Sequence, residues 1–121
     1  MPRKEIAEAF VNDVVTGDHV GAIRKWYAEG ASMQENQAEP RVGRDVLMAH
    51  EAAALARVER VETELLSGPA VDGDTVVIHW HFTFVPKSGP PMSFEEFAWQ
   101  EWQGDKIVRE RFFYDPKQMR P

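Results

Sequence analysis

No cysteine occurs among the 121 residues, which excludes disulfides and thiolate chemistry and fits a reducing compartment. No apolar run approaches the ~18 residues of a membrane span. Clustered positive charge is lacking too. Against 20 acidic residues stand 14 scattered Lys and Arg, a net charge of -6 with pI about 5.2, which argues against a nucleic-acid or anionic-membrane surface. Nor is there an internal repeat, a glycine-rich phosphate loop, a nucleophile elbow or an HExxH motif. The start MPRKEIAEAF is amphipathic at once and lacks the apolar core of a signal peptide, so a cytoplasmic location is the default expectation.

What is present suits one domain, residues 1–121, with one sizeable core and one site: 43% hydrophobic and 28% charged residues. Ile6, Phe10 and Val14 predict a helix over 4–16, ended by Thr16-Gly17. Asp18 caps a second helix with a stripe of Val20, Ile23 and Tyr27, broken at Glu29-Gly30. Residues 31–36 read as a short strand and 37–42 as a loop. A third helix opens near Gly43-Arg44-Asp45 and carries Leu47, His50, Ala54 and Val58 on its apolar side.

From Val61 the period changes to 2. A strand reaches Leu66 and is bent or bulged at Ser67-Gly68-Pro69, and Asp72-Gly73 makes a hairpin turn. In the run 75–85, Val76, Ile78, Trp80, Phe82 and Phe84 share one face, while His79 and His81 share the other. The loop PKSGPP leads to a hairpin, Phe94 to Asp115, turning at Gly104-Asp105. Its first strand puts Phe94, Glu96, Ala98, Gln100 and Trp102 on one face; on its second, Val108, Glu110, Phe112 and Tyr114 alternate with Ile107, Arg109 and Arg111. Acids and an amide among aromatics on one sheet face suggest a lining. The layout is α+β, with helices first and a meander of long antiparallel strands after.

WYAEGASMQEN, PRVGRDVL and WQGDKIVRERFFYDP carry a likeness over essentially the whole chain. The sequence resembles the nuclear transport factor 2-like superfamily, and more narrowly the SnoaL-like polyketide cyclases and ketosteroid isomerases. The resemblance implies a cone-shaped fold, three N-terminal helices packed on a curved, mostly antiparallel sheet, with a pocket at the wide end. It implies a small-molecule pocket protein, either an isomerase-, cyclase- or hydratase-type enzyme or a non-catalytic ligand-binding or dimerisation module. Such chemistry needs no cofactor, and the outer sheet face is where a second subunit is expected.

The isomerase general base falls on Glu35, at the end of the short strand. Ala98 stands where the isomerase has its protonated acid, and no Tyr lies between Phe10 and Val14 to match its helix-borne oxyanion donor. Glu35 is thus the candidate base, its pKa expected to rise by desolvation, against the alternative of an exposed loop acid. Glu110 is the second candidate acid-base group, unless it pairs with Arg109 or Arg111 on an exposed face. Parity places Gln100 and Glu96 beside it on the concave face, with Trp80 and Phe112 as apolar lining. Two carboxylates in one apolar cavity repel, leaving one protonated. His50 reads as a hydrogen-bonded core histidine or a proton carrier reaching the cavity. Asn36 holds Glu35 or caps a loop, and Tyr114 donates to a bound oxyanion or packs with a wet hydroxyl. The His79-x-His81 spacing can ligate a metal, but parity turns both outward, and no metal is expected.

Overall fold

A computed structural model describes residues 4–119. Its elements are α1 (Lys4–Val15), α2 (His19–Trp26), β1 (Tyr27–Glu35), β2 (Arg41–Val42), α3 (Arg44–Ala56), β3 (Val58–Asp72), β4 (Thr75–Pro86), β5 (Met92–Gln103) and β6 (Lys106–Phe113). A 3-10 turn follows at Pro116–Met119. The six strands form one curved sheet in the order β2-β1-β6-β5-β4-β3, on which three helices pack as an α+β cone. Neighbouring strands run antiparallel except β1 and β6, which are parallel. The amphipathic start extends over Met1–Arg3, which lie outside the described residues.

Local signals explain most element ends. Asp18 caps α2 as expected, its Oδ1 accepting from the Gly21 N–H at 2.8 Å. Gly104 turns the β5–β6 hairpin at φ 63°, a backbone region that costs glycine no steric penalty. α1 and α2 are joined by Asp13, whose Oδ2 accepts from Trp26 Nε1 at 2.8 Å. That bond, ahead of the nearby Lys25, holds the Asp13 carboxyl below its ordinary pKa.

Several boundaries differ from the periodicity reading. α2 ends at Trp26, and Tyr27, expected on its stripe, is already extended, because it pairs with Ile107 in the parallel ladder. β1 therefore has nine residues and begins four earlier than expected. The predicted loop 37–42 contains β2, with Met33 opposite Arg41 and Ser32 opposite Val42. α3 stops at Ala56, and Val58 opens β3. β3, by contrast, carries the irregularity expected at Ser67-Gly68-Pro69, as shifts of register, and runs on to Asp72. In β6 the ladder passes from Glu101–Arg109 to Trp102–Ile107, leaving Val108 as an extra residue. Ile107, expected to face away from Glu110, is consequently buried with it.

The core lies between the helices and the concave sheet face. Phe10, Trp26 and Trp102 meet edge to face, with centroids 6.0 to 6.1 Å apart, and close one end of the cone; each such pair contributes about 0.5–1.5 kcal/mol beyond area burial. On the outer face Phe97 and Trp99 are 47% exposed and Phe113 41%. His79 stacks on Phe97 at 4.1 Å and lies 3.2 Å from Glu95, while His81 lies 3.4 Å from Glu64.

Candidate functional site

The alternation of β5 directs Phe94, Glu96, Ala98, Gln100 and Trp102 inward, and all five are buried. β4 brings Trp80, Phe82 and Phe84 alongside, and β6 brings Glu110 and Phe112. With α1, α2 and α3 above them, these strands enclose a cavity of about 270 Å³. Its wall is mostly apolar, interrupted by Glu35, Glu51, Glu96, Glu110, Arg41, His19, His50 and Tyr27. The volume is close to the lower bound of the ~300–1,000 Å³ usual for small-molecule sites.

A buried hydrogen-bond chain lies behind the cavity. Only its members Tyr27 and Glu110 reach the cavity wall, and Gln100, expected to contact substrate, is sealed beneath it, orienting Glu110 instead. Trp102 Nε1 donates to Gln100 Oε1 at 2.9 Å, and Gln100 Nε2 donates to Glu110 Oε2 at 2.6 Å. The Tyr27 hydroxyl donates to Glu110 Oε1. Burial drives the Glu110 carboxyl up to a pKa of about 7, while the bonds from Gln100 and Tyr27 pull it down by stabilising the charged form. Tyr27 is pushed well above its ordinary value, first by burial and then by the charge of Glu110, so it remains a donor. Glu110 pairs with neither Arg109 nor Arg111; the Arg111 guanidinium lies over the Phe113 ring.

Glu96 is in a different situation. It is 7% exposed, lines the cavity, and has no hydrogen-bond or ion-pair partner among the described residues. Burial first, then the charges of Glu110, Glu35 and Glu51, raise its pKa to about 8, so at neutral pH it carries its proton.

At the more open side Glu35 lines the cavity, but its side chain keeps 38% exposure. Its Oε2 accepts from Arg41 at 2.9 Å and its Oε1 from the Tyr114 hydroxyl at 3.2 Å. The desolvated carboxyl expected at this position is thus an ion-paired one, because the unforeseen strand β2 delivers Arg41 beside it. Tyr114 packs on Phe94 at 5.5 Å, and burial raises its pKa. Asn36 does not hold Glu35. With φ 51° it ends β1, its Oδ1 accepting from the Tyr114 N–H at 3.0 Å and its carbonyl from Arg111 at 2.8 Å. His50 is exposed at the cavity rim, so the core-histidine reading is wrong: one turn from buried Leu47, it faces the opening between α3 and the sheet.

Sequence reasoning missed Tyr27, Arg41, His19 and Glu51. His19 Nδ1 lies 3.4 Å from Glu51 Oε1 and its Nε2 3.1 Å from Thr63 Oγ1, fastening α2 to α3 and β3 at the cavity wall. Cap and helix signals hid His19 and Glu51, since both stand at positions that read as solvated helix faces. Among the described residues no cluster of three or more His, Cys, Asp or Glu has the arrangement of a metal site. No described helix is long and apolar enough to cross a membrane.

A cone of three helices on a curved sheet with an acid-lined cavity can be set against known proteins. The model of the SnoaL-like domain matches residues 7–110. The chain belongs to the SnoaL-like domain family, within the nuclear transport factor 2-like superfamily. Among solved structures, a Mesorhizobium loti protein described as a SnoaL-like polyketide cyclase is 27% identical, with a TM-score of 0.79 over 94% of this chain and 100% of that one. A Catenulispora acidiphila protein with a ketosteroid isomerase-like fold, solved with trimethylamine, is 19% identical at a TM-score of 0.80, covering 98% of this chain and 91% of that one. A Mycobacterium tuberculosis epoxide hydrolase of the LEH-like kind is 15% identical at 0.78, covering 96% and 84%. The last two show a shared fold alone. No curated protein matches the sequence significantly.

Proposed function

We propose that this SnoaL-like protein is an enzyme of the isomerase, cyclase or hydratase kind, acting by carboxylate acid-base chemistry on a small, largely apolar, carbonyl-bearing molecule. The supporting observation is that Glu35 and Glu110 line one cavity in environments that separate their roles. Glu35, ion-paired with Arg41, is the proton acceptor. Glu110, with a pKa of about 7 and held in orientation by Gln100 and Tyr27, supplies the second proton near neutral pH, where general acid-base groups are most effective. Trp80 and Phe112 give the apolar contact. The test is exchange of α-protons of small cyclic ketones in D₂O, followed by proton NMR with the intact protein. Acceleration that drops by about 100-fold or more in Glu35→Gln is expected; equal exchange in wild type and variant removes Glu35 as the base.

A second reading, a non-catalytic ligand-binding module, is favoured by one observation: both Glu110 oxygens are already engaged by Tyr27 and Gln100. The same measurement separates the two, since a binding module accelerates no exchange. We also propose a homodimer through the outer sheet face, where Phe97, Trp99 and Phe113 form an exposed apolar group.

A further inference from the structure

The acids around the cavity are not all partnered. Of four acids in its wall, Glu35 is matched by Arg41 and Glu51 by His19, and Glu110 accepts from the neutral donors Tyr27 and Gln100. His50 stands exposed at the rim. Glu96 alone has no counterpart among the described residues, although it is more than nine-tenths buried and its oxygens are not sealed off, the cavity being the space they border. A buried carboxyl left without a protein partner is costly, and in a native structure such a group calls for an explanation.

The surroundings of Glu96 supply one. Trp80 lies directly across the ladder from it, and Phe94 precedes it by two residues on the same face, itself opposite Phe82. Ring centroids run Trp80 to Phe82 at 5.7 Å, Phe82 to Phe94 at 5.9 Å and Phe94 to Tyr114 at 5.5 Å. Glu96 therefore sits against a continuous aromatic strip. Aromatic faces attract cations through the ring quadrupole, most strongly where water is excluded, and tertiary and quaternary ammonium groups suit such walls because they are bulky and weakly hydrated. A neutral group placed there can accept a hydrogen bond from the protonated carboxyl, but only a cation draws on both the rings and the ionised carboxylate.

We propose that the ligand of this cavity is an organic cation, a small amine or quaternary ammonium compound, whose positive group rests on Trp80, Phe82 and Phe94 with Glu96 as counter-ion. The assignment deepens the pocket reading above and rests on it only in taking the cavity as a ligand site. Cation binding stands even if Glu35 and Glu110 move no proton. It also has a consequence in protons. Burial first, then the charges of Glu110, Glu35 and Glu51, keep Glu96 protonated, with a pKa of about 8. A bound cation favours the ionised form, so binding at pH 7 expels a proton and affinity rises with pH through about 8.

The probes are benzyltrimethylammonium and its uncharged carbon isostere neopentylbenzene, titrated into the intact protein by NMR, with calorimetry of the cation in two buffers of different ionisation enthalpy. The cation is expected to saturate and to bind roughly tenfold or more tightly than the isostere, with close to one proton released at pH 7. In Glu96→Gln, checked for folding by circular dichroism, the preference and the proton release disappear. Absence of saturable cation binding overturns the proposal, as does an isostere that binds as well as the cation in wild type, a comparison that does not depend on any variant folding. Lost ketone exchange with cation binding retained overturns the acid-base reading and leaves this one standing.

Discussion

The Tyr27 hydroxyl donates to Glu110 from a strand that begins 83 residues earlier, and both groups are buried. The parallel pairing of β1 with β6 makes this possible, since it sets the end of α2 beside the bulge at Val108. The bond anchors the first strand to the last while holding a titratable carboxyl at the cavity floor.

Removing the hydroxyl should therefore act on both stability and titration. Tyr27→Phe is expected to cost about 1–3 kcal/mol, as for a buried hydrogen bond to a charged group, measured by urea denaturation. Glu110 loses one of two bonds that favour its ionised form, so its pKa moves further up from about 7. Carbon-detected NMR of the labelled carboxyl reads this; an unchanged or lowered value contradicts the role given to the bond.

Glu96 and Glu110 also set how stability follows pH. Both have folded-state values, about 8 and about 7, raised above the ordinary 4.5. The native protein then holds more protons than the unfolded chain between these values, so stability is fully present below about 4.5 and is lost as pH rises through about 7 to 8. The slope is at most about 1.4 kcal/mol per pH unit for each group. Melting temperature is expected to fall from pH 5 to 8 and level off above, with a shallower fall in Glu96→Gln. A rise across this window would refute the protonation states assigned to both acids.

If Glu110 supplies a proton in the reaction, its protonated form is the active one. Ketone exchange per site should then decline about tenfold per pH unit above about 7. Glu110→Gln removes that limb of the profile. Persistence of the limb in the variant assigns it to another group, Glu96 being next in line.

The exposed aromatic group on the outer sheet face gives a prediction about assembly. Trp99→Glu places a charge beside Phe97 and Phe113, where a partner's apolar surface would have to bury it. Light scattering at micromolar concentration should give twice the chain mass for the native protein and the single-chain mass for the variant. A native protein that scatters as one chain ends the dimer proposal.

Much of this was legible from residue order because β5 obeys strict alternation: with a side-chain period of 2, Glu96, Gln100 and Trp102 must share a face, and the aromatics among them turn that face inward. The helices, the Asp18 cap and the outward direction of His79 and His81 follow from the same local rules. Tertiary structure decided what those rules do not reach. Tyr27 left its helical stripe because a parallel ladder with Ile107 outweighs local periodicity, and Arg41 reached Glu35 because two residues of a supposed loop joined the sheet edge. Ion pairing then separated Glu35 from Glu96, a carboxyl of the same chemistry that has no hydrogen-bond or ion-pair partner among the described residues. Which acid is partnered and which stands alone depends on distances across the sheet and from the helices, and such distances are not written in the spacing of residues along one strand.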